Sequence, residues 1–153
     1  MSHILGTDAF GRDVLSRLIY GARVSLLVAL LALTAGGGVG LSIGIVAGYF
    51  GGAVDSILMR LVDAAFTFPA ILFALLLAVT MGQGLGTLVI AISLLLWATF
   101  ARVIRGEVLA LRQRDFVALA RVRGCSDARI MLTHILPNVL NTFMSMTSIS
   151  GMP

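Results

Sequence analysis

Lysine is absent from this chain, and cysteine, proline and carboxylates are scarce. Without lysine no phosphate-binding loop of the G-x-x-x-x-G-K-[ST] type can form, because that loop puts the lysine ammonium on the phosphates. The one cysteine, Cys125, excludes an intrachain disulfide and a cysteine-held metal cluster. Charged residues make up only 12% of the chain, against about 25% in an ordinary soluble domain. With 59% of its 153 residues hydrophobic and a mean hydropathy of +1.05, the chain has too few polar side chains to coat a soluble core. Lipid is the expected solvent. Aromatic residues are also few, and the net charge of +4 is interrupted by apolar runs of membrane length. Both points argue against nucleic acid as a partner. The positive charge is all arginine and reads as a local basic face on a membrane protein. The first 23 residues carry Asp8 and Asp13 and have no unbroken apolar core, so they do not read as a secretory signal.

What is present is a series of apolar runs, which sets the expected fold class as an all-α, polytopic membrane protein. Residues 6–11 read as a loop of turn formers. From Arg12, apolar Val14, Leu15, Leu18, Ile19 and Ala22 recur at helical spacing. That segment is either an interfacial amphipathic helix or the polar end of a spanning helix. The first span, Val24 to Gly48, has no charge in 25 residues and reaches about 37 Å, enough to cross a hydrocarbon core of roughly 30 Å. Gly36, Gly40, Gly44 and Gly48 recur every fourth residue and form one stripe without side chains. Such a stripe lets another helix approach closely, and this helix-packing role is preferred to a solute path along it.

Tyr49 to Asp55 reads as a turn, followed by a second apolar run from Ile57 to Met81. Arg60 and Asp63 stand at i, i+3 on one helix face and can pair, and a local ion pair or snorkelling at the helix end is preferred to a functional charge there. Pro69 removes a backbone donor and predicts a kink near Thr67. Residues 81–86, MGQGLG, form a short turn. The third span runs from Leu85 to Ala101, with Trp97 and Phe100 as an interfacial aromatic anchor and Arg102 and Arg105 closing it. A fourth apolar run, Ile135 to Pro153, begins to re-enter the membrane.

Three spans put residues 1–23 and 81–86 on one side, with three arginines (Arg12, Arg17, Arg23). The other side collects eight: Arg60, Arg102, Arg105, Arg112, Arg114, Arg121, Arg123 and Arg129. Positive charge accumulates in the cytoplasm, so residues 107–134 are expected there and residues 1–23 outside. A chain that starts outside without a signal and stops inside a span is expected to be incomplete at both ends.

The stretch from Glu107 to Asn138 is too charged to cross a bilayer and too apolar at helical spacing to be a slack loop. Val108, Leu109, Leu111 and Arg112, then Phe116, Val117, Leu119, Ala120 and Val122, predict two short helices broken at Arg114-Asp115. Gly124 ends the second, Ser126 is placed to cap the next, and Asp127 favours its first turn. Pro137 bends the helix that follows. On composition alone, this stretch is a positive-inside loop on anionic lipid or a docking element for a partner. Cys125 and His134 have no chemical partner in sequence and read as structural. Arg60 with Asp55 and Asp63 is the only titratable cluster on which a membrane enzyme could be argued.

The spacing of Ala118-Leu119-Ala120, three residues, Gly124, nine residues, His134, one residue, Leu136-Pro137 resembles the cytoplasmic signature of binding-protein-dependent ABC importer permeases. That signature reads Glu-Ala-Ala, three residues, Gly, nine residues, Ile, one residue, Leu-Pro. The runs GTDAFGRDVLSRLIYGARVSLL, AGYFGGAVDSILMRLVD, ARVIRGEVLALR and FVALARVRG…HILPN resemble the peptide and nickel branch of that family, of the dipeptide/oligopeptide permease C type. Ala118, Leu119 and His134 depart from the signature, so no glutamate-mediated contact is carried over.

The resemblance implies a helical bundle of the type I importer kind, of which this chain would hold three full spans and part of a fourth. Residues 1–153 would form one permease domain of the bacterial inner membrane, with 107–138 as its cytoplasmic coupling segment. Coupling to an ATPase would fall on Phe116, Val117, Ala118, Leu119, Ala120, Arg121, Gly124, Ser126, Asp127, Leu136 and Pro137. Implied partners are a homologous permease subunit in a heterodimer, two ATP-binding cassette ATPases, an extracytoplasmic solute-binding protein and the bilayer. No nucleotide, cofactor or covalent chemistry is implied for this chain itself.

Overall fold

The computed structural model describes Gly6 and residues 13–141, and among them every regular element is helical. The expected loop over residues 7–11 and most of the fourth apolar run lie outside the described residues.

Helix α1 runs unbroken from Val14 to Phe50. Asp13 caps its start: its carboxylate accepts from the Ser16 backbone N–H at 3.1 Å. Residues 14–23 are therefore the continuation of the span rather than a separate interfacial helix. The reason is that no glycine or proline breaker stands between Val14 and Val24 except Gly21, which a helix tolerates. The expected turn at Tyr49–Asp55 shrinks to Gly51. Gly51 and Gly52 have φ of +66° and +55°, and this left-handed pair reverses the chain straight into α2, Gly52–Thr67.

Phe68 and Pro69 are both extended and separate α2 from α3, Ala70–Met81. The two helices meet at 79°, so the expected kink is a full break, placed at Phe68-Pro69. A proline disfavours helical backbone in the residue before it, so Phe68 is extended and α2 ends at Thr67. Gly82, Gln83 and Gly84 make the next turn, and α4 follows as Leu85–Leu111. It continues about two and a half turns beyond Arg102, to Leu111. Ala101, Ile104 and Val108 are buried, so apolar spacing carries the helix past the charges that end its membrane part. The first of the two expected short helices is therefore the end of α4. Helix α5 is Asp115–Val122, and α6 starts at Asp127–Arg129. The chain then widens into a π turn over Ile130–Ile135 before α-helical geometry resumes at 136–141.

Helices α1 and α4 form the backbone of the fold, and the glycine stripe lies between them. A Cβ built on Gly36 would stand 2.6 Å from the Ser93 carbonyl oxygen. On Gly40 it would be 2.5 Å from the Trp97 oxygen, on Gly44 2.8 Å from the Ala101 oxygen, and on Gly48 2.7 Å from the Val108 Cβ. Residue numbers rise together on both helices, from Gly36 beside Ser93 to Gly48 beside Val108, so the pair is parallel. Residues 51–84 must then return across the full height between them, which makes the bent α2–α3 pair a crossing. Helices α1 and α4 are each long and apolar enough to cross a membrane, and the bent pair, counted as one span, makes a third. Leu30, Leu31, Ile71, Val79, Leu88 and other large apolar side chains are exposed, as suits a lipid-facing surface.

Two small cores hold the helices together. Val62 of α2 packs with Ala98 and Ala101 of α4, joined by half-buried Trp97. A larger cluster at the arginine-rich end joins Ile45 and Tyr49 of α1, Ile104 and Val108 of α4, Val117 and Ala120 of α5, and Ile130, Ile135 and Val139 beyond. Trp97 and Phe100 pack against these cores, so the pair expected as an interfacial anchor is turned at least partly inward.

Candidate functional site

The parallel pairing of α1 and α4 places the α1–α2 turn, the end of α4 and residues 112–139 at one end of the molecule. Leu111 to Arg114 is a tight turn, with the Arg114 N–H on the Leu111 carbonyl at 3.0 Å. The Arg114 carbonyl then accepts from the Val117 N–H at 3.0 Å, and Asp115 occupies the first turn of α5, where a carboxylate favours the helix dipole.

Helix α5 is amphipathic over its two turns. Val117 and Ala120 are buried and Phe116 is half-buried, so these three hold the helix to its own chain. Ala118, Leu119 and Arg121 are exposed, and Val122 is exposed to 84%. Of the residues expected to act in coupling, therefore, only Ala118, Leu119 and Arg121 on α5 belong to its exposed face, with Val122 beside them.

Gly124 closes α5 in a Schellman arrangement. Its φ is +74°, its N–H bonds the Arg121 carbonyl at 2.9 Å, and the Cys125 N–H reaches back to the Ala120 carbonyl at 3.1 Å. Nothing lies within 4 Å of where a Cβ on Gly124 would stand, so the need for glycine is conformational and not steric. Gly124→Ala is expected to destabilise the segment by about 1–2 kcal/mol, and Gly124→Asn by less, because asparagine tolerates the left-handed region. Hydrogen exchange at the amides of residues 117–125 checks this, with faster exchange in the alanine variant.

Ser126 holds the N-cap position of α6 with extended backbone, but its hydroxyl makes no capping bond. The Asp127 carboxylate is turned instead to α1, where Tyr49 Oη donates to its Oδ1 at 2.5 Å. The π turn has a cause downstream. Pro137 has no N–H for the Thr133 carbonyl, and its ring crowds that carbonyl. The ladder widens ahead of it, with the Leu136 N–H bonding the Met131 carbonyl five residues back. Leu136 is half-buried against the main core and Pro137 is exposed. Cys125 and His134 are half-buried, and Cys125 packs against the same core.

Charged groups tie this end together. Arg105 of α4 holds both carboxylate oxygens of Asp55, Nε on Oδ1 and Nη2 on Oδ2, the latter at 2.6 Å. Arg102 donates to Asp63 at 2.7 Å and lies over the Phe66 ring at 4.4 Å. The expected Arg60–Asp63 pair does not form, because Asp63 is taken by an arginine of the neighbouring helix. The carboxylates on which a membrane enzyme was argued are thus both engaged by α4. Arg112, at the end of α4, donates to the carbonyls of Gly48 and Tyr49 at 3.3 and 3.2 Å. These acceptors belong to the last turn of α1, where carbonyls lack helical partners. Arg121 of α5 lies 5.2 Å from the centre of the Tyr49 ring. Tyr49 is thus a junction that reading by spacing missed. The available signal was one tyrosine closing the glycine stripe, one residue after Gly48.

Apolar helices long enough to span a membrane, with an arginine-rich helical segment gathered at one end, define a multi-span membrane component. Comparison with known proteins fixes the kind. The chain belongs to the family of binding-protein-dependent transport system inner membrane components, whose profile matches residues 40–152. It is 39% identical over 142 residues to the dipeptide transport system permease protein DppC of Bacillus subtilis, covering 93% of this chain and 44% of that protein. It is 37% identical over 143 residues to the glutathione transport system permease protein GsiD of Pectobacterium atrosepticum, covering 94% and 48%. It is also 40% identical over 138 residues to the oligopeptide transport system permease protein OppC of Haemophilus influenzae, covering 90% and 44%. The chain spans about half the length of the curated relatives it matches.

Proposed function

We propose that this chain is the membrane-crossing part of an ATP-driven importer of di- or oligopeptides, and that α5 with the turn after it is the docking element for a separate ATPase. The observation that carries this is the outward face of α5. Leu119 and Val122 present apolar side chains to solvent on a short helix whose other face is locked into the main core. A rigid helix with apolar anchors and arginines at its rim suits a groove on a partner protein. ATP binding on the partner would displace α5, and the displacement would pass through the core into α1 and α4. A homologous permease would complete the solute path, and an extracytoplasmic binding protein would deliver the solute. Relatives named for dipeptide, glutathione and oligopeptide transport favour peptides over nickel. Residues 107–134 lie in the cytoplasm on this reading.

The test is co-purification of the assembled transporter in detergent. Leu119→Glu and Val122→Glu are each expected to weaken ATPase association about tenfold or more, the effect of losing one apolar anchor of ~1.4 kcal/mol. Both side chains are exposed, so the chain itself is expected to fold normally. Undiminished association in both variants, with loss of binding to anionic vesicles instead, would favour a lipid-bound loop and sink the docking assignment.

A further inference from the structure

We infer that Tyr49 is a positioning residue for coupling: its hydroxyl, bonded to Asp127, fixes the orientation of the docking segment on the α1–α4 pair. This inference rests on the importer reading above.

Two kinds of contact join the docking segment to the membrane helices. The first is the apolar core, in which Val117, Ala120 and Ile130 meet Ile45, Ile104 and Val108. Apolar contact holds surfaces together but has little directional preference. It lets a short helix turn or slide on its seat. The second is the set of polar contacts on Tyr49, which are directional. Tyr49 is 4% exposed, and its ring stands in the core at the end of the glycine stripe. Its hydroxyl donates to Asp127 at 2.5 Å, and Arg121 sits over its ring. Asp127 begins α6 and Arg121 lies in the last turn of α5, so one side chain of α1 touches both sides of the Gly124 turn. Arg112 meanwhile fixes the carbonyl of Tyr49 itself from α4.

The consequence for α1 follows from what surrounds it. At these four glycines α1 puts no side chain into the seam, and α4 lies directly against its backbone, which leaves little slack to absorb a displacement. A push arriving at Tyr49 therefore moves α1 and α4 together. If the hydroxyl is removed, the docking segment stays attached through the core but loses its fixed orientation.

The experiment uses the complete transporter in proteoliposomes and reads solute moved per ATP hydrolysed. Tyr49→Phe keeps the ring and its packing, so the ATPase is expected to remain assembled. Transport per ATP is expected to fall about tenfold, the size of losing a hydrogen bond to a charged acceptor. Asp127→Ala is expected to match it, and the double variant to be no worse than either. Asp127→Asn, which keeps an acceptor oxygen, is expected to restore most of the ratio. An unchanged ratio in Tyr49→Phe would overturn the inference. So would a loss of assembly in step with the loss of transport, which would make the hydroxyl merely structural. Failure of the unaltered transporter to move solute with ATP would instead remove the importer reading beneath it.

Discussion

Alanine at Gly40 is expected to force α1 from α4 and destabilise the chain by about 1–3 kcal/mol, the range of overpacking in a close-packed seam. The added methyl would stand 2.5 Å from the Trp97 carbonyl oxygen and 2.6 Å from the Phe100 Cβ. Backbone cannot step aside as a long side chain does, so the helices must separate along the stripe. In lipid this matters more than in water, because helix association there depends on close packing rather than on escape from solvent. Leucine at the same position is expected to prevent stable folding. Gly38→Ala is the matched control. Nothing stands within 4 Å of its would-be Cβ, so alanine there is expected to be neutral or stabilising by up to about 1 kcal/mol through helix propensity. Unfolding in mixed micelles, titrated with a denaturing detergent, distinguishes the two. Equal stability of the Gly40 and Gly38 variants would refute the seam.

The second large effect is expected at Asp55 and Arg105. The pair is bidentate, and the side chains are only 15% and 31% exposed. Removing either partner leaves a half-buried charge without its counterpart, at a cost of about 1–3 kcal/mol. Asp55→Ala combined with Arg105→Ala is expected to cost less than the sum of the single changes, since neither charge is then stranded. The Asp63–Arg102 pair is the internal comparison. Its side chains are 64% and 54% exposed, and its loss is expected to cost at most about 1 kcal/mol. A double-mutant cycle at each pair, read by the same unfolding titration, gives the difference directly. Equal interaction energies at the two pairs would contradict this ranking.

How much of this was legible in the sequence depends on the range of the signal. The glycine stripe was readable because its period of four is a property of one segment, and a helix turns that period into a face. The breaks at Gly124 and near Pro69 were readable for the same reason: both are local backbone effects. The span boundaries at Val24 and Ala101 were less so, because a hydropathy run marks where charges begin and not where the helix ends. Helix α4 goes on to Leu111 since Ala101, Ile104 and Val108 keep apolar spacing through the arginines. Partners were the least legible. Arg60 and Asp63 looked paired because they were near in sequence, while Asp63 in fact meets Arg102 from another helix. The Tyr49–Asp127 contact joins residues 78 positions apart, and no local pattern announces it. For the candidate site, spacing pointed to the segment but not to its two faces. Val117 and Ala120 turn inward and Leu119 outward, which follows from the position of a core that only the fold supplies.

The break at Phe68-Pro69 has a meaning for the medium around it. Phe68 shares a small cavity with Leu94, Leu95 and Trp97, level with the middle of the apolar part of α4. Helix α2 ends there with carbonyls to which no further turn donates, and α3 begins there with N–H groups for which no earlier turn offers an acceptor. Hydrocarbon offers such groups nothing, and unpaired backbone persists at that depth only beside water or another polypeptide. A break at this level therefore calls for a hydrogen-bonding neighbour, either water or a second polypeptide, beside Phe68 and Pro69.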